Sequence, residues 1–342
     1  MPEPNDLHDI TIIGGGPTGL FAAYYARFRG LTAKIIDSLP ELGGQLTAAY
    51  PEKYIYDVAG FPKILAKDLV RNLVEQAMAY SPTVCLGERV QKLEPSGEKR
   101  LRVLTDRAEH WTRALIITTG LGMYTPRRLR GSELFEGKGL YYTVTRTDEF
   151  RGRELLIIGG GDSAVDWALH LEPVASGITL IHRRDQFRAH EENVRQLVNS
   201  TVRVKLSYKP KELRGEARVR EVVIVNTKTK AEEILLVDAV LACLGFSSEL
   251  GPMADWGLEL EGNEAFQVNT RMETNIPGVY AAGDVAAFPG KVKLIATGFG
   301  EAVTAVNNAA HYLDPGMKVF PGYSTTIMKR RERKAQNKQI TP

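Results

Sequence analysis

Cysteine is scarce in this 342-residue sequence, which contains only Cys85 and Cys243. Each lies in a short apolar run that is typical of a strand, so we expect two free, buried thiols. Two isolated thiols so far apart exclude both a disulfide framework and a Cys-x-x-Cys redox pair. They also provide no cluster of metal ligands, and no metal site is predicted.

Long apolar runs and a strong charge imbalance are also missing. No stretch approaches the ~20 apolar residues that cross a bilayer, so no membrane partner is predicted. Residues 1–6 contain neither a basic segment nor an apolar stretch, so no secretory signal is expected and the expected location is cytoplasmic. The net charge of +3 is too small to indicate a nucleic-acid partner.

A glycine-rich pattern, in contrast, occurs twice. In each copy an apolar strand leads into a tight turn and then a helix, an arrangement that presents backbone N–H groups and a helix N-terminus to a pyrophosphate. Because both copies lie in a strand–turn–helix–strand context, the duplication predicts two dinucleotide-binding units. The glycines that form the turns are Gly14, Gly16 and Gly19 in residues 10–19, and Gly159 and Gly161 in residues 155–164.

The two copies differ where their second strand ends. The first copy ends at Asp37, and a carboxylate at this position hydrogen-bonds the ribose hydroxyls of FAD or NAD. The second ends at His182, followed by Arg183 and Arg184, and arginines at this position suit a 2′-phosphate. The sequence therefore predicts one dinucleotide with an unphosphorylated ribose, such as FAD or NAD, and one NADP(H).

The order of elements is repeated in the two halves of the chain. Each half continues from its glycine unit through a further helix and an antiparallel meander to a buried strand that ends near glycine, at 114–120 and 239–246. Residues after 246 are too few for a third domain and are assigned to the first. The predicted fold class is α/β, with two Rossmann-like (three-layer ββα) domains, the second inserted into the first, plus a C-terminal extension. The predicted boundaries are 1–119 and 246–342 for the first domain and 120–245 for the second.

The meanders are predicted from alternating polar and apolar residues. In the first half the alternating segments are 90–93, 101–105 and 110–111. In the second half they are 202–208, 219–226 and 232–236, after a strand at 178–182 and a helix at 190–198. The last helix is predicted at 301–313.

Two dinucleotide modules joined by residues 274–284 (TNIPGVYAAGD) resemble the two-domain flavoprotein disulfide reductases, especially thioredoxin reductases. Tyr142 and Thr145 occupy the positions of the dithiol of that family, so electron relay through a dithiol is excluded. Residues 43–46, 50–62, 161–168 and 182–190 are similar to the thioredoxin-reductase-like ferredoxin–NADP(+) reductases. An extension past Leu313 is a further similarity.

This resemblance implies FAD in the first domain, covered by the C-terminal extension, and NADP(H) in the second. No side-chain acid or base is implied as a catalytic residue, because the flavin carries the chemistry. Tyr50 and Tyr323 are implied to stack on the two faces of the isoalloxazine. The implied FAD contacts are Gly14, Gly16, Thr18, Gly19, Asp37, Gln45, Tyr50, Val90, Tyr124, Asp284 and Thr325. The implied NADP contacts are Gly159, Gly161, Asp162, Ser163, His182, Arg183, Arg184 and Arg188.

The implied activity is electron transfer between NADPH and ferredoxin by a homodimeric enzyme. Basic clusters at 127–130 and 329–334 favour docking of an acidic carrier such as ferredoxin. The residues themselves leave alternatives open. These are a reductase of flavodoxin, quinone or a low-molecular-weight disulfide, an NADPH-dependent flavin monooxygenase, and a non-catalytic redox sensor that binds FAD and NADPH.

Overall fold

The computed structural model describes residues 6–120 and 122–329, without the side chains of 123–125 and 247–248. Two compact units are formed by the chain. As far as these ranges are described, the first unit contains Met1–Thr47, Tyr54–Met123 and Ser248–Pro342. The second contains Tyr124–Ser247 and also Ala48–Lys53, a short segment that interrupts the first unit in the sequence.

The helices and strands confirm the predicted α/β class. Up to residue 126 the elements are β1 (Leu7–Ile13), α1 (Pro17–Phe28), β2 (Ala33–Asp37), α2 (Gln45–Ala48), β3 (Tyr54–Ile55), β4 (Ile64–Leu65), α3 (Ala66–Met78), β5 (Thr83–Leu86), β6 (Val90–Pro95), β7 (Leu101–Thr105), β8 (Glu109–Ile117) and β9 (Met123–Pro126).

The second unit and the return to the first add the remaining elements. Four of these are three short 3-10 helices (Glu133–Phe135, Thr147–Phe150 and Gly251–Asp255) and a helix at 324–329. The others are β10 (Leu140–Tyr141), β11 (Glu154–Ile158), α4 (Asp162–Leu171), β12 (Gly177–His182), α5 (Glu191–Val198), β13 (Arg203–Leu206), β14 (Tyr208–Arg214), β15 (Glu221–Asn226), β16 (Glu232–Leu236), β17 (Ala239–Ala242), β18 (Phe246–Glu249), β19 (Leu260–Glu261), β20 (Ala265–Gln267), β21 (Val279–Ala281), β22 (Ala286–Ala287) and α6 (Ile295–Leu313).

A parallel sheet forms the centre of the first unit. Its strands lie in the order β5, β2, β1, β8, and β21 pairs in parallel with the far half of β8. The apolar run of β1 includes Ile10 and Ile12, both with no exposed surface, as expected for a parallel strand covered on both faces. The carboxyl ends of these strands therefore meet at one edge, where the first glycine turn lies.

One strand in this sheet differs from the prediction of two. The sequence pattern ends the meander at residues 110–111 and places a separate buried strand at 114–120, but β8 is continuous from Glu109 to Ile117. On one side it pairs in parallel with β1 along residues 111–117. On the other side its first half pairs antiparallel with β7 and its second half pairs in parallel with β21. A single strand thus joins the meander to the parallel sheet, and no turn is needed between them.

The second unit repeats this design with a five-stranded parallel sheet in the order β10, β17, β11, β12, β13. The prediction for residues 202–208 is wrong, because β13 is parallel to β12 and belongs to this sheet. A helical crossover through α5 returns the chain in the same direction, which produces a parallel rather than an antiparallel neighbour. The meander instead consists of β14, β15 and β16.

Helix α6 begins at Ile295, before the predicted start at Glu301. The Thr297 hydroxyl accepts the Leu294 N–H at 3.3 Å and donates to the Val292 carbonyl at 2.7 Å, which fixes the first turn despite two glycines nearby. Among the described helices, α6 included, none combines the length and apolar character required to span a bilayer.

Both cysteines are half-buried rather than buried. Burial raises the pKa of the Cys243 thiol to about 12, so this group is protonated at neutral pH. Burial also raises the pKa of Cys85. Neither thiol has the lowered pKa that is typical of a reactive cysteine.

Candidate functional site

The first glycine turn joins the end of β1 to helix α1. Gly16 is the N-cap residue of α1 and provides no side-chain hydrogen bond, so the N–H groups of the first turn have no side-chain cap. A Cβ atom on Gly19 would overlap the Gly14 carbonyl oxygen, so only glycine allows the helix to pack this closely on the turn. An uncapped helix N-terminus on a narrow turn is a suitable site for an anionic pyrophosphate.

Asp37 lies at the end of β2, beside this turn, and is 8% exposed. One carboxylate oxygen accepts the Gly15 N–H at 2.5 Å and the other accepts the Leu39 N–H at 2.8 Å. Burial raises the pKa of Asp37, while the backbone N–H groups act in the opposite direction. A carboxylate offers about four acceptor positions, so Asp37 is able to accept a ribose hydroxyl in addition to the backbone N–H groups.

Two threonines complete this edge of the sheet after β8. The Thr118 hydroxyl contacts the carbonyl oxygens of Ile13 and Gly14 at 3.0 and 2.9 Å, which binds the strand end to the glycine turn. The Thr119 hydroxyl is buried and has no hydrogen-bond partner among the described residues. A buried hydroxyl without a partner next to the turn fits a polar ligand at this position. Sequence reasoning missed Thr119, although its place directly after a buried strand was a usable signal.

Gln45 and Asp284 are two further polar residues of the first unit at this site. Gln45 begins α2, and its side-chain amide nitrogen lies 3.4 Å from the position of a Cβ atom on Gly120. Asp284 follows β21 and is half-buried. Burial raises the pKa of Asp284, opposed by the charges of Lys291 and Lys293.

The other implied FAD residues are placed differently. Val90 belongs to the apolar core at 7% exposure, so only its backbone is available to a ligand. Tyr50 packs against the apolar core of the second unit. Tyr323 is 74% exposed, and Thr325 is exposed on the helix at 324–329. The side chain of Tyr124 lies outside the described residues.

The second glycine turn joins β11 to α4. Gly161 is the N-cap residue of α4 and, like Gly16, gives no side-chain cap. Asp162 and Ser163 follow in the first turn, and both are exposed. The Asp162 carboxylate accepts the His190 N–H at 2.8 Å, and the Arg188 N–H donates to the Gly160 carbonyl at 2.7 Å. The loop that follows β12 is therefore attached to the glycine turn at two points.

His182 ends β12 and is 6% exposed. Its Nε2 atom is buried without a hydrogen-bond partner among the described residues. Burial lowers the pKa of His182, and the charges of Arg188, Arg184 and Arg183 lower it further. The three arginines are exposed, so a cationic surface lies beside an imidazole nitrogen that has no partner. This combination fits a phosphate group.

The first unit also contains a polar cluster that sequence reasoning missed. Potential metal-ligand atoms of Cys85, Glu88 and His110 lie within 4.8 Å of one another. His110 Nε2 is 2.8 Å from Glu88, and its Nδ1 atom is 3.2 Å from the buried ammonium of Lys34. A cation here would have to break the His110–Glu88 hydrogen bond and face the charge of Lys34. The cluster therefore serves as an internal hydrogen-bond network.

Comparison with known proteins agrees with this geometry. Residues 8–309 match the family described as pyridine nucleotide-disulphide oxidoreductase. The chain is 54% identical over 330 residues to a protein named ferredoxin–NADP reductase from Halalkalibacterium halodurans, covering 96% of this chain and 100% of that protein. It is 51% identical over 328 residues to a protein of the same name from Geobacillus thermodenitrificans, covering 95% and 98%.

Solved structures with a similar fold include two thioredoxin reductases. The enzyme from Lactococcus lactis is 27% identical with a TM-score of 0.77, covering 90% of this chain and 99% of that chain. The enzyme from T. acidophilum is 26% identical with a TM-score of 0.78, covering 91% and 99%. These matches confirm the resemblance inferred from the motifs. The chain belongs to the pyridine nucleotide-disulphide oxidoreductase family, and within it is similar in sequence over nearly its full length to proteins named ferredoxin–NADP reductase.

Proposed function

We propose that the protein is an FAD-dependent ferredoxin–NADP(+) reductase, which transfers electrons between NADPH and ferredoxin. The observation that carries this proposal is the contrast between the two glycine turns. One has a buried carboxylate at the ribose position, Asp37, and the other has His182 with exposed arginines. One chain thus offers a site for a dinucleotide without a 2′-phosphate on its ribose and a site for a dinucleotide that carries one.

In this proposal the first unit binds FAD. The uncapped N-terminus of α1 holds the pyrophosphate, and Asp37 accepts hydroxyls of the adenosine ribose. The Thr119 hydroxyl provides a further polar contact, and Asp284 holds the ribityl chain. Tyr50 and Tyr323 are the proposed stacking residues, one for each face of the isoalloxazine.

The second unit binds NADPH. The uncapped N-terminus of α4 receives the pyrophosphate, with Ser163 in its first turn. Arg183, Arg184 and Arg188 neutralise the 2′-phosphate, and the partnerless nitrogen of His182 supplies a hydrogen bond to the same region.

FAD, when bound, supplies the conversion of a two-electron hydride into single electrons, which a one-electron carrier requires. The chain itself binds and orients the two dinucleotides, and no side chain is needed as an acid or base. The positions of the dithiol in disulfide reductases hold Tyr142 and Thr145, and the Tyr142 hydroxyl accepts the Leu129 N–H at 3.0 Å. Neither side chain transfers electrons to a disulfide.

Ferredoxin is the proposed partner, and exposed arginines support a docking surface for an acidic protein. Arg127, Arg128 and Arg130 form this arginine surface, although Arg128 pairs with Glu136 at 3.0 Å. Lys329 is also exposed, while the rest of the basic segment at 330–334 lies outside the described residues. A homodimer in the cytoplasm completes the proposal.

The test is a steady-state comparison of electron acceptors with purified holoenzyme and NADPH. Ferredoxin should be reduced fastest, ahead of flavodoxin, quinones and low-molecular-weight disulfides. Rapid turnover of a disulfide with negligible turnover of ferredoxin would contradict the proposal. Hydroxylated product from an added substrate would identify a monooxygenase, and flavin that NADPH leaves oxidised over seconds would identify a non-catalytic sensor.

A further inference from the structure

Lys291 and Glu301 form an almost completely buried ion pair in the first unit. Their side chains are only 8% and 9% exposed, and the Lys291 ammonium donates to both oxygens of the Glu301 carboxylate. The ammonium also lies over the ring of Phe288, 5.5 Å from its centroid. Glu301 belongs to α6, whereas Lys291 lies in the loop that precedes this helix.

The same carboxylate holds a second loop. One oxygen of Glu301 accepts the Gly283 N–H at 2.8 Å. Gly283 directly precedes Asp284, so this hydrogen bond fixes the backbone that carries the Asp284 side chain. Glu301 therefore links the turn at 283–284 to the loop that contains Lys291.

Thr18 also packs against this turn. A Cβ atom on Gly283 would lie 2.9 Å from the Thr18 hydroxyl oxygen, and one on Gly298 would overlap the same oxygen. The N-terminal part of α1, the turn at 283–284 and the first turn of α6 therefore pack in direct contact. This junction consists of Thr18 and Asp284, both proposed FAD residues, together with Glu301.

Burial of an ion pair is a weak source of stability, because desolvation of the two charges offsets most of their attraction. A polar pair in this position therefore needs another reason to be there, and the hydrogen bond to Gly283 provides one. A carboxylate is the acceptor that holds this N–H, and a lysine is needed to neutralise the carboxylate inside the protein.

We infer that Glu301 and Lys291 are positioning residues of the FAD site: Glu301 holds the turn that presents Asp284, and Lys291 compensates the charge of Glu301. This inference rests on the proposed binding of FAD to the first unit. It assigns a role in cofactor binding to two residues that do not themselves need to touch the flavin.

The test compares two double variants that contain no buried unpaired charge. Lys291→Met with Glu301→Gln retains an oxygen acceptor for the Gly283 N–H, whereas Lys291→Met with Glu301→Leu removes it. FAD dissociation constants are measured with apoprotein by flavin fluorescence, and melting temperatures are measured on the same apoproteins. The Gln variant should bind FAD like the wild type, and the Leu variant roughly ten-fold more weakly, as expected for one lost hydrogen bond with its donor left buried.

Lys34→Met is the matched control. Lys34 is a buried lysine of the same unit (1% exposed), and it lies near the start of β2, whereas the proposed FAD residue Asp37 ends that strand. It should lower the melting temperature without changing FAD affinity. Equal FAD affinity of the two double variants would overturn the inference, as would a loss of affinity that follows melting temperature in all three proteins. A wild-type protein that binds no FAD would overturn this inference together with the proposed function. Normal FAD binding without turnover of ferredoxin would contradict only the proposed function.

Discussion

The imidazole of His182 lies directly against Gly160, where a Cβ atom would overlap three atoms of the ring. The ring also stacks on Phe187, with centroids 5.8 Å apart and an angle of 16° between the planes. Because the Gly160 carbonyl accepts the Arg188 N–H, the glycine holds both the imidazole and the arginine loop. The position of the phosphate-binding residues therefore depends on the absence of a side chain at residue 160.

Gly160→Ala should impair NADPH binding, because the new methyl group must displace His182. Overpacking of this kind costs ~1–3 kcal/mol, so the Michaelis constant for NADPH should rise roughly ten-fold or more. FAD content should not change. Gly300→Ala is the control, since no atom lies within 4 Å of a Cβ at residue 300. Wild-type NADPH kinetics in Gly160→Ala would mean that the contact has no role in binding.

Replacing both Arg183 and Arg184 with alanine should separate NADPH from NADH. Loss of charge-assisted contacts to the 2′-phosphate should raise the Michaelis constant for NADPH about ten- to a hundred-fold. The value for NADH, which lacks this phosphate, should stay nearly constant. Arg214→Ala removes an exposed arginine elsewhere in the same unit and should affect neither nucleotide. An equal loss with both nucleotides would assign a structural role to the two arginines.

Three histidines should make the ligand-free protein less stable in mild acid. Burial lowers the pKa values of His8, His170 and His182 below the ordinary 6.5, so the unfolded chain binds protons that the folded chain does not. The free energy of unfolding should therefore fall as the pH decreases from about 7.5 to about 5.5. Urea titrations across this range provide the measurement. His182→Gln should flatten the dependence, because the substitution removes one of the three groups whose pKa is lowered by burial.

Charge reversal on the arginine surface should slow the reaction with ferredoxin only. Arg130→Glu should raise the Michaelis constant for ferredoxin more than Arg128→Glu does, because Glu136 already neutralises part of the Arg128 charge. Added salt should mimic both changes, since screening acts beyond a Debye length of ~8–10 Å. Lys211→Glu is the control on the meander. If neither salt nor charge reversal changed the Michaelis constant for ferredoxin, the docking surface would lie elsewhere. Ferredoxin would remain the proposed partner.

Apolar side chains before the helix at 324–329 should be covered in a dimer. Phe320 and Tyr323 are 64% and 74% exposed and stack edge-on at 5.6 Å. Replacing both with serine should shift sedimentation at micromolar concentration from dimer towards monomer, because the change removes apolar surface from the contact. Serine at exposed Met78 serves as the control. A wild-type protein that sediments only as a monomer would contradict the dimer.

Local patterns are sufficient to predict the fold class and the two glycine turns. A strand, a glycine turn and a helix are encoded within a few consecutive residues, and the residue that ends the next strand lies at a fixed distance. The contrast between Asp37 and His182 is therefore evident from the amino-acid sequence alone. The early start of α6 is not, since Gly298 lowers helix propensity and only its packing against Thr18 explains its presence.

Features that depend on distant pairing cannot be predicted in this way. The continuity of β8 follows from its two sets of neighbours, and the position of β13 follows from its pairing with β12. Buried polar groups such as Thr119 and Glu301 have no periodic signature. The place of Thr119 after a buried strand marks it as a candidate, but the role of both residues depends on groups far away in the sequence. Only the assembled sheet brings these side chains to the glycine turn and to the loop after β21.

Because β21 pairs with β8, the sheet of the first unit is completed only after the main part of the second unit has been synthesised. Tyr124–Ser247, the main part of the second unit, is contiguous and leaves the ribosome before Val279–Ala281. The second unit is therefore able to fold while translation continues, as domains generally do. Until β21 emerges, the far half of β8 keeps an open edge in the nascent first unit, and this late stretch of polypeptide then closes the sheet that contains β1.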